Sequence, residues 1–283
     1  MIAEKLREMG IGFSAPSGSI DEDRPTLVMI HGAGGCSQIW QNQTRLSKAP
    51  SSRLARSVNT LALDLPGHGQ SDGSASPDMD GYAEWLSEVL SKVWDRPPFL
   101  MGHSMGGAIV QKVALSDPDR IRGIILVGTG PVLRVAPMFL KGLQTSFDTI
   151  LDSLLGFAYA ADADARLITE GIKLMKAAGK DVVYRDFLAC NRFDMRNDLK
   201  HIGLPCLILC GSEDKLTPAP LSKKLNESIR NSRMEIIPQA GHMVMIEQFK
   251  PFNDRVLDFV LQVEAIGEEK THEGSACDHR IYL

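Results

Sequence analysis

The chain has 283 residues, 43% hydrophobic and 23% charged, an ordinary globular composition with ample material for a large core. Its net charge of −4 and lack of a basic patch give no reason to expect nucleic acid or an anionic membrane surface as a partner. Five cysteines (Cys36, Cys190, Cys206, Cys210 and Cys277) are odd in number and irregularly spaced, with no zinc-site pattern. Reduced, mostly buried thiols in a soluble, cytoplasmic protein are expected. Residues 1–9 carry charges throughout and lack an apolar signal core, and no apolar run has the length of a membrane span.

Residues 1–23 place no firm element beyond a short strand and turn over Phe13 to Gly18. Thr26 to Ile30 then reads as a strand ending at His31-Gly32, and Thr60 to Leu63 as one ending at Asp64. A helical pattern over Tyr82 to Trp94 leads to a third strand, Pro98 to Met101. That strand runs into Gly102-His103-Ser104-Met105-Gly106, with a helix-compatible stretch, Gly107 to Leu115, behind it. Further strands are expected at Ile121 to Val127, Cys206 to Cys210 and Met234 to Ile237, with helices at Ala219 to Ser228 and Pro251 to Val263. Continuous apolar strands of this kind are buried on both faces, so the pattern predicts an α/β doubly wound, mostly parallel sheet flanked by helices. Residues 131–203 interrupt the alternation with helices alone, at Met138 to Tyr159, Asp162 to Ala178 and Asp181 to Cys190. They read as a helical insertion over the strand ends, within a single domain spanning 1–283. The polar tail after Glu264 is expected to be loosely held.

The strand–turn–helix context gives Gly102-x-Ser104-x-Gly106 its meaning. A serine at such a turn is forced into a strained conformation that pushes its hydroxyl above the sheet edge. A serine hydroxyl is a weak nucleophile, so it needs a base and an orienting acid behind that base. His242 follows the Met234 to Ile237 strand across Pro238-Gln239-Ala240-Gly241, which presents its imidazole at the same edge as Ser104. His103 should point away from the serine, His31 should hydrogen-bond the loop after it, and His68 should serve a turn. His201, His272 and His279 are read as structural or solvated. Glu213 and Asp214 both fit the acid by position, at the end of the Cys206 to Cys210 strand. Acyl transfer also needs oxyanion donors: the N–H of Met105, and one from His31-Gly32-Ala33-Gly34-Gly35, Ala33 first and Gly34 second. Phe139, Leu143 and Phe147 of the insertion are candidates for an apolar substrate pocket, with Leu151, Leu154, Leu155, Phe157 and Met138 near them.

Taken together, His31-Gly32-Ala33-Gly34-Gly35, Asp64-Leu65-Pro66-Gly67-His68-Gly69-Gln70-Ser71, Gly102 to Gly107, Gly211-Ser212-Glu213-Asp214-Lys215-Leu216-Thr217-Pro218 and Gly241-His242 resemble the α/β-hydrolase fold superfamily. The likeness extends from about Pro25 to Val263 and is nearest to small esterases and monoacylglycerol-lipase-like enzymes. It implies the α/β-hydrolase fold, the acid role for Asp214, a cap at 131–203, and a structural role for Asp64 and the Pro-Gly-His-Gly turn. It further implies a serine hydrolase cleaving small-molecule carboxylic esters through an acyl-enzyme, with Ser104, His242 and Asp214 as triad and with no metal or organic cofactor. A carbon–carbon bond hydrolase of ring-cleavage products, a perhydrolase and a ligand receptor retaining the triad use the same fold and stay open as alternatives. The oligomeric state stays open too.

Overall fold

The computed structural model describes residues 2–16, 20–45 and 53–277, with side chains through residue 267. Gly18 of the expected first turn, the side chains of His272 and Cys277, and His279 lie outside the described residues. Among the described residues seven strands form one sheet in the order β1-β3-β2-β4-β5-β6-β7. They are β1 (Phe13–Ser14), β2 (Thr26–Ile30), β3 (Asn59–Leu63), β4 (Phe99–His103), β5 (Gly123–Val127), β6 (Cys206–Gly211) and β7 (Ser232–Ile237). Neighbours run parallel except for β1, which pairs antiparallel with β3 at one edge.

The helices lie on both faces of this sheet. Helix α1 (Ile2–Glu8) precedes β1, and α2 (Gln41–Thr44) and α3 (Arg53–Ser57) connect β2 to β3. Helices α4 (Met79–Val93) and α5 (Met105–Ser116) flank β4 in sequence. Between β5 and β6 the chain forms α6 (Pro137–Thr145), α7 (Phe147–Ala158), α8 (Ala165–Ala178) and α9 (Lys180–Arg192). Helix α10 (Ala219–Ser228) links β6 to β7, and α11 (Val244–Glu247) and α12 (Phe249–Cys277) follow. Residues 265–277 of the stretch read from sequence as a polar tail continue α12. No helix among the described residues is long and apolar enough to cross a membrane.

Alternation along the strands builds two cores. Val28 and Ile30 of β2 pack toward Leu86 of α4 and Val110 of α5. Leu27 and Met29 point the other way, toward Phe252 and Val256 of α12. All four β2 side chains are fully buried, and each such burial is worth about 1.5–3 kcal/mol. Helix α4 begins where Asp78 accepts the Gly81 N–H at 3.0 Å, the usual service of an N-cap carboxylate. Its buried residues Tyr82, Leu86, Val89, Leu90 and Val93 recur at helical spacing along one face.

Two expectations need correction. Strand β7 is not buried on both faces: it has β6 as its one neighbour, and Ile236 stays 51% exposed. An edge position leaves one flank uncovered, which accounts for its polar start at Ser232-Arg233. Met138 to Tyr159 is not one helix. It breaks at Ser146 (φ −147°, ψ 52°), so that α7 folds back on α6, with Gly142 facing Ile150. This fold-back buries Leu143, Leu151, Leu155, Tyr159 and Val183 in a third core belonging to the insertion.

The sheet order fixes where a ligand can sit. From β2 the chain crosses to β3 on one side and then to β4 on the other, so the order reverses between β2 and β4. In open parallel sheets the crevice at the carboxyl ends beside such a reversal is the place for ligands. Ile30 of β2 pairs with Gly102 of β4, so the loops after both strands meet there.

The meeting leaves no room for side chains at the turn glycines. A Cβ at Gly106 would run into the carbonyl oxygens of Ile30 and His31, and one at Gly102 into the Gly106 carbonyl. Gly106→Ala is expected to lower stability by about 3 kcal/mol or more, because the obstacle is backbone that cannot rotate away. Thermal unfolding of the purified variant beside wild type measures this.

Candidate active site

Ser104 stands at φ 54° and ψ −114°, a conformation that L-residues rarely adopt. Such a residue costs about 1–3 kcal/mol and persists only where its surroundings hold it. Here its N–H donates to Val127 O at 2.9 Å, and its carbonyl accepts from Gly107 N, Ala108 N and the Thr129 hydroxyl. The turn ends directly in α5, whose first N–H, that of Met105, has no acceptor within the helix.

His242 and Asp214 arrive from the ends of β7 and β6. Asp214 Oδ2 lies 2.9 Å from His242 Nδ1 and 2.8 Å from the Thr217 hydroxyl, while Oδ1 accepts the Leu216 and Thr217 N–H groups. A carboxylate only accepts, so the proton of a neutral His242 ring sits on Nδ1, facing Asp214. Burial works against the Asp214 charge, but the His242 contact and the Thr217 hydrogen bonds hold its pKa below the ordinary value. Glu213, the positional alternative, turns away: its carboxylate accepts from Ala161 N at 3.4 Å. Gly128, at φ 50°, lies beside the pair, where a Cβ would come within 3.3 Å of His242 Nδ1.

Ser104 and His242 open onto one cavity of about 500 Å³. Gly32, Ala33 and Gly34 of the β2 loop line it, as do Phe139, Leu154, Leu155, Leu174, Met175 and Phe187 of the insertion. Gly32 closes in on Ser104, since a Cβ there would lie 3.2 Å from the Ser104 Cβ. Among the described residues the Ala33 N–H takes no acceptor, whereas the Gly34 N–H is already given to Asp186 at 2.7 Å. Of the three pocket candidates, Phe139 lines the cavity. Leu143 and Phe147 pack with the insertion's own core and do not reach it. A larger hollow of about 1490 Å³ opens at the amino ends of the strands, the opposite edge of the sheet from Ser104. No group of three or more His, Cys, Asp or Glu among the described residues could hold a metal ion.

Residues 27–255 match the family described as the alpha/beta hydrolase family. The chain belongs to it. A pimeloyl-[acyl-carrier protein] methyl ester esterase of Pectobacterium carotovorum is 28% identical over 248 residues, 82% of this chain and 93% of that one. A 2-hydroxy-6-oxononadienedioate/2-hydroxy-6-oxononatrienedioate hydrolase of Cupriavidus pinatubonensis is 30% identical, over 83% of this chain and 86% of its own. Among solved structures, a thermophilic esterase is 32% identical, with a TM-score of 0.75 over 89% of this chain and 98% of that one.

Three side chains of this alpha/beta hydrolase do more than their motifs suggested. The His103 ring lies 4.5 Å from that of His242, its Nε2 is 3.0 Å from the His242 carbonyl, and it lines the same cavity as Ser104. Burial, then the neighbouring His242, lowers its pKa to about 3, so it stays neutral and donates this one hydrogen bond. Glu247 accepts Gly241 N at 2.9 Å and Ala160 N at 2.8 Å, tying the His242 turn to the end of α7. Burial raises its pKa above the ordinary value. Asp186, on α9 and fully buried, accepts from Gly34 N, from the Tyr82 hydroxyl at 2.6 Å and from His68 Nε2 at 2.8 Å. Glu247 and Asp186 stand in no motif, so the sequence carries no signal of these partners.

The pKa values of the two loop histidines shift in opposite directions for a visible reason. His31 Nδ1 faces Gly32 O at 2.8 Å while its Nε2 accepts Leu65 N–H at 3.1 Å, so one proton satisfies the ring. Burial lowers its pKa to about 3. His68 meets acceptors at both nitrogens, Pro66 O at 3.1 Å and Asp186. Burial opposes its charge, yet Asp186 raises its pKa above the ordinary imidazole value. A raised folded pKa contributes stability that is complete below the unfolded value and lost as pH climbs through the folded one. Wild type is therefore expected to lose stability relative to His68→Gln as pH rises above about 6.5. Urea midpoints of the two proteins across neutral and alkaline pH check the sign.

Proposed function

We propose that this hydrolase cleaves carboxylic esters through an acyl-enzyme, with Ser104 as nucleophile, His242 as base and Asp214 as its orienting acid. The observation that carries the reading is geometric: Asp214 Oδ2 lies 2.9 Å from His242 Nδ1, and His242 lines the same cavity as the strained Ser104. With Nδ1–H given to Asp214, Nε2 is the ring nitrogen left to act on Ser104. In the first step Nε2 takes the Ser104 proton as Oγ bonds to the ester carbonyl carbon. The oxyanion so formed is received by the N–H groups of Ala33 and Met105. Collapse breaks the carbon–oxygen ester bond, and His242 returns the proton to the leaving alcohol. A water then repeats the sequence on the acyl-enzyme and frees the acid. The Asp214 charge stabilises the imidazolium formed in each half.

The substrate is a small-molecule ester with an apolar portion. Residues 131–203 serve as the cap, and Phe139, Leu154, Leu155, Leu174 and Phe187 give its side of the cavity an apolar lining. Apolar walls with a few convergent polar groups are what a small-molecule site requires. A relative named as a hydrolase of 2-hydroxy-6-oxononadienedioate keeps carbon–carbon bond hydrolysis as the second reading.

Ser104→Ala is expected to abolish fluorophosphonate labelling and to cut p-nitrophenyl ester turnover by a factor on the order of 10⁴ or more. Asp214→Asn should leave labelling slow and turnover reduced on a similar order, because the amide holds the wrong tautomer. The rate should fall on acidification as the base takes up a proton, and a rate flat from acid to neutral pH excludes a histidine base. A panel of esters of graded acyl length, with a ring-cleavage dienoate and a peroxide assay beside it, separates ester hydrolysis from the carbon–carbon and perhydrolase chemistries.

A further inference from the structure

Asp186 is a buried carboxylate with three donors on it and no part in the proton transfers above. It lies on α9, the last α-helix of the insertion, 152 residues along the chain from the Gly34 N–H that it accepts. That N–H belongs to the loop that is to receive the oxyanion. Gly34 is at φ 62°, and a Cβ on it would meet Met175 of α8 at 2.8 Å and Val183 of α9 at 2.9 Å. The insertion therefore presses on this loop directly, as well as walling the cavity.

Two successive N–H groups, of Ala33 and Gly34, lie where one oxyanion donor is needed. They sit on adjoining peptide planes, Gly32–Ala33 and Ala33–Gly34, so a loop with both uncommitted could turn either toward the oxygen, and a misplaced donor stabilises little, since the donor must stand about 2.7–3.1 Å from the developing charge. Asp186 removes the ambiguity. By accepting the Gly34 N–H it fixes the Ala33–Gly34 peptide plane and leaves Ala33 N–H as the uncommitted donor on the cavity wall. The carboxylate is itself held from two further sides, by Tyr82 of α4 and by His68 Nε2.

We propose that Asp186 is a positioning residue for the oxyanion hole: the insertion, through this one carboxylate, selects Ala33 over Gly34 as the donor. The inference rests on the reading of Ser104 as nucleophile and adds to it a role for α9 in the chemistry itself. Asp186 touches neither substrate nor reacting atoms; it acts through the backbone of the β2 loop.

The test uses the full chain and an alkyl boronic acid, which forms an anionic tetrahedral adduct on the serine. Asp186→Asn should lower kcat on a p-nitrophenyl ester by about tenfold to a hundredfold with KM changed less than about threefold. It should weaken the boronate by a similar factor, while a neutral alcohol competing for the apolar cavity binds as in wild type. Should the variant fail to fold, amide spectra of ¹⁵N-labelled wild type decide the matter. On boronate binding the Ala33 signal should move downfield and the Gly34 signal should stay in place. Unchanged kcat and boronate affinity in Asp186→Asn, or a Gly34 signal that moves while Ala33 does not, overturns the proposal alone. A wild type that neither binds boronate nor loses turnover on Ser104→Ala overturns the nucleophile assignment and this proposal together.

Discussion

A strained backbone at Ser104 is the constraint on which the rest of the site depends. The conformation exists because β4 runs straight into α5 with no loop between them. Glycines at 102, 106 and 107 let the helix settle onto β2 and Thr129 at backbone distance. Val127 O and the Thr129 hydroxyl then hold the turn from the neighbouring strand. The buried sheet, through the burial of β2, β4 and β5 on both faces, offsets the local cost. Strain and sheet are one design: the same close packing that forces φ positive aims the serine at the crevice between β2 and β4.

Around that turn the site is assembled by short backbone hydrogen bonds more than by side-chain pairs. His242 gives its N–H to Ala158 O and its carbonyl to His103. Gly241 is held by Glu247, which also holds Ala160. Gly34 is held by Asp186. Each bond joins a loop at a strand end to something fixed elsewhere, and of the four anchors, Ala158, His103, Glu247 and Asp186, three come from, or reach into, the helical insertion. The insertion carries its own apolar core, so it brings rigidity to the loops instead of borrowing it. This also explains why buried charge is tolerated here. Asp186 is met by three donors and Asp214 by four, so neither carboxylate is left uncompensated in a low-dielectric interior.

The strands of the buried sheet were legible because burial on both faces demands unbroken apolar runs, and each run ends where a glycine or aspartate starts a turn. Edge strand β7 was legible only in its apolar half, since its start at Ser232-Arg233 obeys no such demand. The single helix expected over Met138 to Tyr159 failed at Ser146, because helical periodicity continues through a break when both pieces face the same core. Leu143 and Phe147 show the same limit: an apolar residue in an amphipathic helix is equally suited to a cavity wall and to a helix–helix core.

What the sequence determined alone was local. The order of apolar runs and turns set the α/β architecture, and Gly-x-Ser-x-Gly in its strand–helix setting marked the strained turn. Which carboxylate meets His242, which N–H of the β2 loop is left uncommitted, and which insertion side chains reach the cavity were decided by the tertiary structure. These are contacts between groups up to 152 residues apart in the chain. A hydrogen bond between such groups leaves no periodicity in either segment, so only the folded arrangement reveals it.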